Sequence, residues 1–139
     1  LERRAMDDER AVLQANEAFY SAFADADILA MVAIWAHEDE VACTHPGWNV
    51  LTGYHDVMES WRAILEGSVP PNISCRDARV FIFGDTGFVT CNEIVNGSFL
   101  VATNLFVRTT DSWAMVHHHA GPCAAPKILA NDSSPVAIH

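Results

Sequence analysis

The stretch FVTCNEIVNGSFLVATNLFV, residues 88–107, decides the fold class. Two runs rich in β-branched and aromatic residues flank Asn96-Gly97. This dipeptide is typical of a two-residue hairpin turn, which needs positive φ at both positions. A two-residue loop pairs Val95 with Ser98 and sets the register of the strands on either side. The stretch therefore predicts a long antiparallel hairpin.

Two further runs extend this hairpin into a sheet. One precedes it and one follows it, and the connectors at 84–87 and 109–112 are short. Short connectors join antiparallel neighbours. The sequence therefore predicts a meander of four strands, at 73–83, 88–95, 98–108 and 113–120.

The residues before this meander carry helical patterns. Apolar residues recur at helical spacing in three segments, 8–24, 28–35 and 54–66, and residues 40–45 alternate like a short strand. The N-caps predicted for these helices are Asp7, Asp27 and Thr52. Helices followed by long antiparallel strands indicate an α+β fold, with the helices packed on one face of the sheet.

Length and composition restrict the possible functions. The 139 residues suit one domain, predicted over residues 1–122, and the Pro-, Ala- and Ser-rich residues 123–139 are interpreted as an extended or disordered tail. Eighteen acidic against eight basic residues give a net charge of −10, which disfavours nucleic acids and anionic membranes as partners. Three features favour a cytoplasmic protein with reduced thiols. The cysteines are scattered, no apolar run is long enough to span a membrane, and the N-terminus is charged.

The alternation of the strands sorts their side chains into two faces, and both are apolar. A four-residue loop at 109–112 pairs Asn104 with His117. The face predicted to line a pocket under the helices includes the polar residues Glu93, Asn104, His117 and His119. The other face has more bulk and fewer ionisable groups, and we expect it to form a homodimer: Phe81, Phe83, Phe88, Ile94, Phe99, Val101, Leu105, Val107, Val116 and His118.

The candidate catalytic residues are His117 and Glu93. A neutral imidazole is a general base near pH 7, and a buried carboxyl is either paired or has a raised pKa. Pairing of Glu93 with Arg76 or Arg108, or exposure at a sheet edge, is the alternative to a catalytic role. The residues predicted to bind a ligand are His45, Trp48, Asn104, His119, Tyr20, Trp35 and Trp61. No motif has the spacing of a metal site or of a cofactor-binding loop, so neither a metal nor a cofactor is predicted.

Three segments carry a family resemblance: AFYSAFADADILAMVAIWAHEDEV (18–41), THPGWNVLTGYHDVMESWRAIL (44–65) and VATNLFVRTTDSWAMVHHHAGP (101–122). Over residues 8–122 the chain resembles SnoaL-like domains of the nuclear transport factor 2-like superfamily. The last segment is also similar to the association domain of calcium/calmodulin-dependent kinase II.

The resemblance implies a cystatin-like cone, in which a curved antiparallel sheet wraps around N-terminal helices and encloses a pocket. It also implies dimers formed through the sheet. Enzymes and non-catalytic assembly domains share this scaffold. The expected function is binding of a small apolar or carboxylate-bearing molecule, with proton-transfer chemistry of the ketosteroid isomerase or dehydratase type. The alternative is a non-catalytic ligand-binding or oligomerisation module.

Overall fold

The computed structural model describes residues 2–67, 69 and 71–125. It confirms the α+β class and the six-stranded curved sheet of a cystatin-like fold. The helices are α1 (Glu2–Ala24), α2 (Ile28–Ile34) and α3 (Tyr54–Leu65). The strands are β1 (Ala42–Thr44), β2 (Leu51–Thr52), β3 (Ile73–Phe83), β4 (Thr86–Val95), β5 (Ser98–Arg108) and β6 (Trp113–Pro122). Most of the predicted tail, from residue 126 onward, lies outside the described residues.

The strands lie in the order β2-β1-β6-β5-β4-β3. β1 runs parallel to β6, and the other neighbours are antiparallel. α1 packs against β3, β4 and β6, so the core lies between the helices and one face of the sheet. We call this the inner face and the opposite one the outer face. No helix within the described ranges is long and apolar enough to span a membrane.

The hairpin between β4 and β5 forms as predicted. Val95 pairs with Ser98 across a turn in which Asn96 has φ 50° and Gly97 has φ 85°. Glycine and asparagine tolerate this left-handed region better than other residues. The turn therefore fixes the register that brings Glu93 opposite Leu100 on the inner face.

The hairpin between β3 and β4 has a shorter turn than predicted. Phe83 pairs with Thr86 across Gly84-Asp85, so Val80 lies opposite Val89 rather than opposite Cys91. A shift of two residues leaves every side chain on its predicted face, because side chains alternate with a period of two.

A bulge between Arg76 and Arg79 then shifts the register between β3 and β4 by one residue, from Arg76 back to Ile73. Asp77, inside the bulge, has φ 56°. As a result Cys75 lies opposite Glu93.

A second bulge reverses the predicted orientation of the three histidines. Phe106 pairs with Met115 as predicted, but Leu105 pairs with His117, so Asn104 lies opposite His118. The extra residue, Val116, shifts everything after it to the other face. His118 is buried at 1% exposure, His117 is half-buried and His119 is exposed. The prediction that His117 and His119 face inward and His118 outward is therefore wrong.

Of the three predicted caps, one is confirmed. The Asp27 side chain accepts a hydrogen bond from the Ala30 amide at 3.1 Å. α1 begins well before Asp7, because the charged residues ahead of it are good helix formers. Thr52 belongs to β2, and Gly53, with φ 90°, is the N-cap of α3.

Candidate functional site

A row of small side chains makes room for a polar cluster on the inner face. Cys91 pairs with Ala102, and Ala102 pairs with Ala120, across β4, β5 and β6. Glu93 lies on one side of this row, and Asn104 with its neighbour His118 lies on the other. Because the side chains of this row are short, the longer side chains on either side of it can meet above the row and contact α1.

Asn104 joins the members of this cluster. Its Oδ1 atom lies 2.6 Å from Nδ1 of His118, and its Nδ2 atom donates to Tyr20 at 3.1 Å and to Oδ1 of Asn16 at 2.8 Å. An amide oxygen only accepts, so Nδ1 of His118 donates and carries the hydrogen. In a neutral ring the lone pair then lies on Nε2.

Tyr20 connects α1 to Glu93. Its hydroxyl donates to Oε2 of Glu93 at 2.6 Å and lies 3.2 Å from Sγ of Cys91. The same Oε2 atom lies 3.9 Å from Nε2 of His118, which is beyond hydrogen-bond distance. The partner of Glu93 is thus a tyrosine, and the predicted alternative of an arginine partner is wrong.

Burial favours the uncharged forms of these groups. Burial lowers the pKa of His118 to about 3, with a smaller effect from the neighbouring histidines. Burial raises the pKa of Glu93, and the hydrogen bond from Tyr20 acts in the opposite direction. The pKa of Tyr20 rises well above its usual value because of burial and the nearby Glu93 carboxylate. The cluster therefore combines a neutral base with weak acids in an apolar environment.

His45 lies in a second polar group near the first. Its Nε2 atom lies 2.8 Å from Oγ of Ser60, and that hydroxyl donates to the Val57 carbonyl at 2.6 Å. The hydroxyl therefore accepts from His45 and has no hydrogen left for a base, which argues against a nucleophilic serine. Burial lowers the pKa of His45 to about 4. The rings of His45 and His118 are 6.3 Å apart.

Aromatic rings enclose both histidines. The ring of Trp61 lies 4.8 Å from His45 and 5.8 Å from His118, and Phe19 lies 4.9 Å from His118. The buried indole N–H groups of Trp35 and Trp61 have no hydrogen-bond partner among the described residues. Unpaired buried donors are uncommon in folded proteins, and a ligand or an ordered water commonly satisfies them.

A groove of about 450 Å³ reaches this cluster from the surface. It runs between α1 and β3. Asn16 and Tyr20 line the groove and belong to the cluster, and Cys75 lines the groove at the border of the cluster. Glu17 and Asp25 contribute carboxylates to its lining, which has neither lysine nor arginine.

The structure brings together some of the predicted site residues. Tyr20, Glu93, Asn104, Trp61 and His45 are buried in or beside the cluster. Trp35 is buried in the core. Trp48 lies at the border, 46% exposed and with its ring 4.8 Å from His45.

His117 and His119 lie on the outer face, apart from this cluster. Their predicted catalytic and ligand-binding roles in the interior do not fit this position.

The sequence pattern does not identify three members of the polar groups. Regular alternation puts His118 on the wrong face, because nothing in residues 113–119 marks the bulge. Asn16 and Ser60 are each a polar residue at a position where its helix faces the core. A polar residue on an apolar helix stripe was the available signal for both.

Comparison with known proteins supports the family resemblance. The sequence profile of the SnoaL-like domain family matches residues 12–125. The F-box protein SKIP8 of Arabidopsis thaliana is 29% identical over 133 residues, which are 94% of this chain. The chain spans only about half, 54%, of the length of that relative.

Two solved structures combine the fold with substantial sequence identity. A candidate dehydratase of the nuclear transport factor 2-like family from Streptomyces avermitilis is 34% identical, with a TM-score of 0.81 over 87% of this chain and 99% of the other. A candidate calcium/calmodulin-dependent protein kinase type II association domain from Thiobacillus denitrificans is 31% identical, with a TM-score of 0.73 over 79% and 93% of the two chains. The chain belongs to the family of SnoaL-like domains.

Proposed function

We propose that the chain binds a small uncharged carbonyl compound and catalyses proton transfer on it, as an isomerase or a dehydratase does. The observation that carries this proposal is the hydrogen bond between His118 and Asn104, because it leaves the lone pair of a buried neutral imidazole on Nε2. The resemblance to a candidate dehydratase at 34% identity supports the same reaction class.

In this proposal His118 is the base. Its Nε2 atom accepts a proton from the carbon next to the carbonyl group, and the resulting enolate is stabilised by a donor at its oxygen. In an isomerisation the proton returns to another carbon of the substrate. In a dehydration a β-hydroxyl group leaves with a proton as water. His118 thus takes the role that the sequence analysis assigns to His117.

Glu93 is the proposed acid, and the hydrogen bond from Tyr20 holds it in place. The raised pKa of Glu93 favours its protonated form, and Tyr20 links it to Asn104. A protonated carboxyl in an apolar site donates a hydrogen bond, as in ketosteroid isomerase, which is a known example of this arrangement. The unpaired indole N–H of Trp61, beside His118, is a second candidate donor.

The charges around the groove favour an uncharged ligand over a carboxylate. Glu17 and Asp25 lie in the groove lining. A carboxylate entering there would meet like charge without a cation to pair with. We therefore narrow the expected ligands to neutral ketones and β-hydroxy ketones.

Solvent exchange tests the chemistry before the product is known. The protein is incubated in D₂O with a panel of cyclic and linear ketones, and deuterium uptake next to the carbonyl is followed by NMR. We expect the wild-type chain to accelerate exchange on at least one ketone and His118→Gln to lose this acceleration.

His117→Gln is the matched control, because it changes an adjacent imidazole on the outer face. It should exchange at the wild-type rate. Equal rates for His118→Gln and the wild type would show that His118 is not the base. A ketone that binds, as seen by shifts in the ¹H–¹⁵N spectrum, without any exchange would favour the non-catalytic binding module.

The outer face supports a second function, assembly with another copy of the chain. Phe88 stacks with Phe81 at 4.8 Å and 19° and lies parallel to Phe83 at 6.1 Å and 4°. Phe83 is 70% exposed and Phe81 is 42% exposed. Soluble monomers rarely expose aromatic side chains side by side. We propose a homodimer through this face, in line with the likeness to an association domain.

Light scattering coupled to size-exclusion chromatography tests this dimer. We expect the wild-type mass to be twice that of the chain, and Phe83→Glu to give folded monomers. Leu29→Glu is the matched control, since Leu29 is 79% exposed on α2, away from the sheet. A monomeric wild type, or a dimeric Phe83→Glu, would contradict the proposed interface.

A further inference from the structure

The bulge at Val116 places two imidazoles side by side on the outer face. His117 pairs with Leu105 and His119 with Thr103 on β5. Their ring centroids are 6.2 Å apart and the rings are nearly perpendicular, at 82°. The proposed proton-transfer site uses neither side chain, and the nearest of the stacked phenylalanines, Phe88, lies on β4, two strands away at about 10 Å.

We propose that His117 and His119 chelate a divalent transition metal ion, such as Ni²⁺ or Zn²⁺, on the outer face of β6. Imidazole nitrogens bind these ions at about 2.0–2.1 Å, which puts the metal about 3 Å from each ring centroid. Two centroids 6.2 Å apart are therefore within reach of one shared ion. Small side-chain rotations bring the two nitrogens into a bent arrangement around it.

The position of the pair on the strand favours chelation. β6 is hydrogen-bonded to β1 on one side and β5 on the other, so the backbone between the two histidines is held rigid. A prearranged pair loses little conformational freedom on binding. Ala42 of β1 and Leu105 of β5 lie directly opposite His117, so strands on both sides hold this residue in place.

The overall charge of the protein also suits a cation. The net charge of −10 draws cations toward the chain. Among the described residues no group of three or more His, Cys, Asp or Glu is arranged around a metal ion. The proposed site is thus bidentate, and water fills the other positions.

Titration of the tag-free full chain with NiCl₂ tests this site. Calorimetry gives the affinity, and broadening in the ¹H–¹⁵N spectrum by the paramagnetic ion locates it. We expect about one ion per chain and broadening centred on the amides of His117, His119, Thr44 and Thr103, the last two being the strand partners of His119. His117→Gln and His119→Gln should each weaken binding about 100-fold, because a single imidazole loses the gain from the second ligand.

His55→Ala is the matched control, because His55 is exposed and lies 2.9 Å from Glu59 on α3. It should leave the affinity unchanged. Broadening centred on His55 and Glu59, or an unchanged affinity in both glutamine variants, would show adventitious binding only and overturn the proposal. Circular dichroism of each variant verifies the fold, which His119→Gln should preserve because His119 is exposed.

Discussion

His118 donates a hydrogen bond from Nδ1 to Oδ1 of Asn104 across 2.6 Å, and both side chains are buried. They lie directly opposite each other on β6 and β5. The bond sets the tautomer of the imidazole and holds its orientation.

Asn104→Leu should destabilise the chain by about 3 kcal/mol, because it leaves the buried Nδ1 of His118 and Oδ1 of Asn16 without a partner, at about 1–3 kcal/mol each. Urea denaturation measures the change. Thr103→Val, one residue away on the outer face, is the control and should stay within about 0.5 kcal/mol of the wild type. Similar losses for the two variants would show that the buried network contributes little.

Protonation of His118 should weaken the fold in acid. Its pKa is about 3 in the folded chain against 6.5 for an unperturbed histidine. Between these values the unfolded chain binds the additional proton, so the free energy of unfolding falls as the pH decreases below about 6.5. His45, with a pKa of about 4, acts in the same direction.

Glu93 acts in the opposite direction, because its raised pKa adds stability at low pH that is lost as the pH rises through that value. The test is therefore comparative. Between pH 7 and pH 5 the free energy of unfolding should fall by about 2 kcal/mol less for His118→Phe than for the wild type. Urea denaturation at the two pH values measures both changes. Parallel losses in the two proteins would indicate that His118 is not held neutral by the fold.

Gly87→Ala should lower the free energy of unfolding by about 1–3 kcal/mol, the usual cost of overpacking. A Cβ atom at Gly87 would lie 3.0 Å from Cγ2 of Val12 and 3.1 Å from Cδ1 of Ile82, where α1 crosses the β3–β4 hairpin. Thermal or urea denaturation measures the loss. Gly121→Ala, with open space around its Cβ position, is the control and should be nearly neutral. Equal effects at both positions would disprove the close contact with α1.

Arg108→Lys should lower the urea midpoint and make it less sensitive to salt. The guanidinium group of Arg108 binds Asp8 through two bonds, at 2.9 and 2.7 Å, and Asp85 through a third at 2.9 Å. It also lies over the Trp113 ring. A lysine cannot make the paired contacts or stack in the same way. A double-mutant cycle with Asp8→Asn measures the coupling, and zero coupling would contradict a role for this ion pair in fixing α1.

Local sequence signals were sufficient for most of the fold. Asn96-Gly97 gave the central hairpin, because a two-residue turn with positive φ has few alternatives. The alternation in β4 and β5 placed Phe88, Glu93, Asn104 and Leu105 on the correct faces. These predictions depend only on residues that are close together in the chain. Turn formation and strand alternation are therefore the same whatever other elements pack against the hairpin.

The orientation of the three histidines was decided only by the tertiary structure. Residues 113–119 allow a regular strand or a bulged one, and the two differ by one residue of register. With the bulge at Val116, Met115, His118 and Ala120 all face the core, and His118 meets Asn104 and the Glu93 carboxyl. Without it His117 and His119 would face inward.

The sequence by itself thus determined the three helices, the four long strands, their order and the faces of β4 and β5, because turn chemistry and alternation act locally. The tertiary structure decided which histidine enters the core, because the packing of α1 and the pairing of β6 with both β1 and β5 select among registers that the local sequence leaves equivalent.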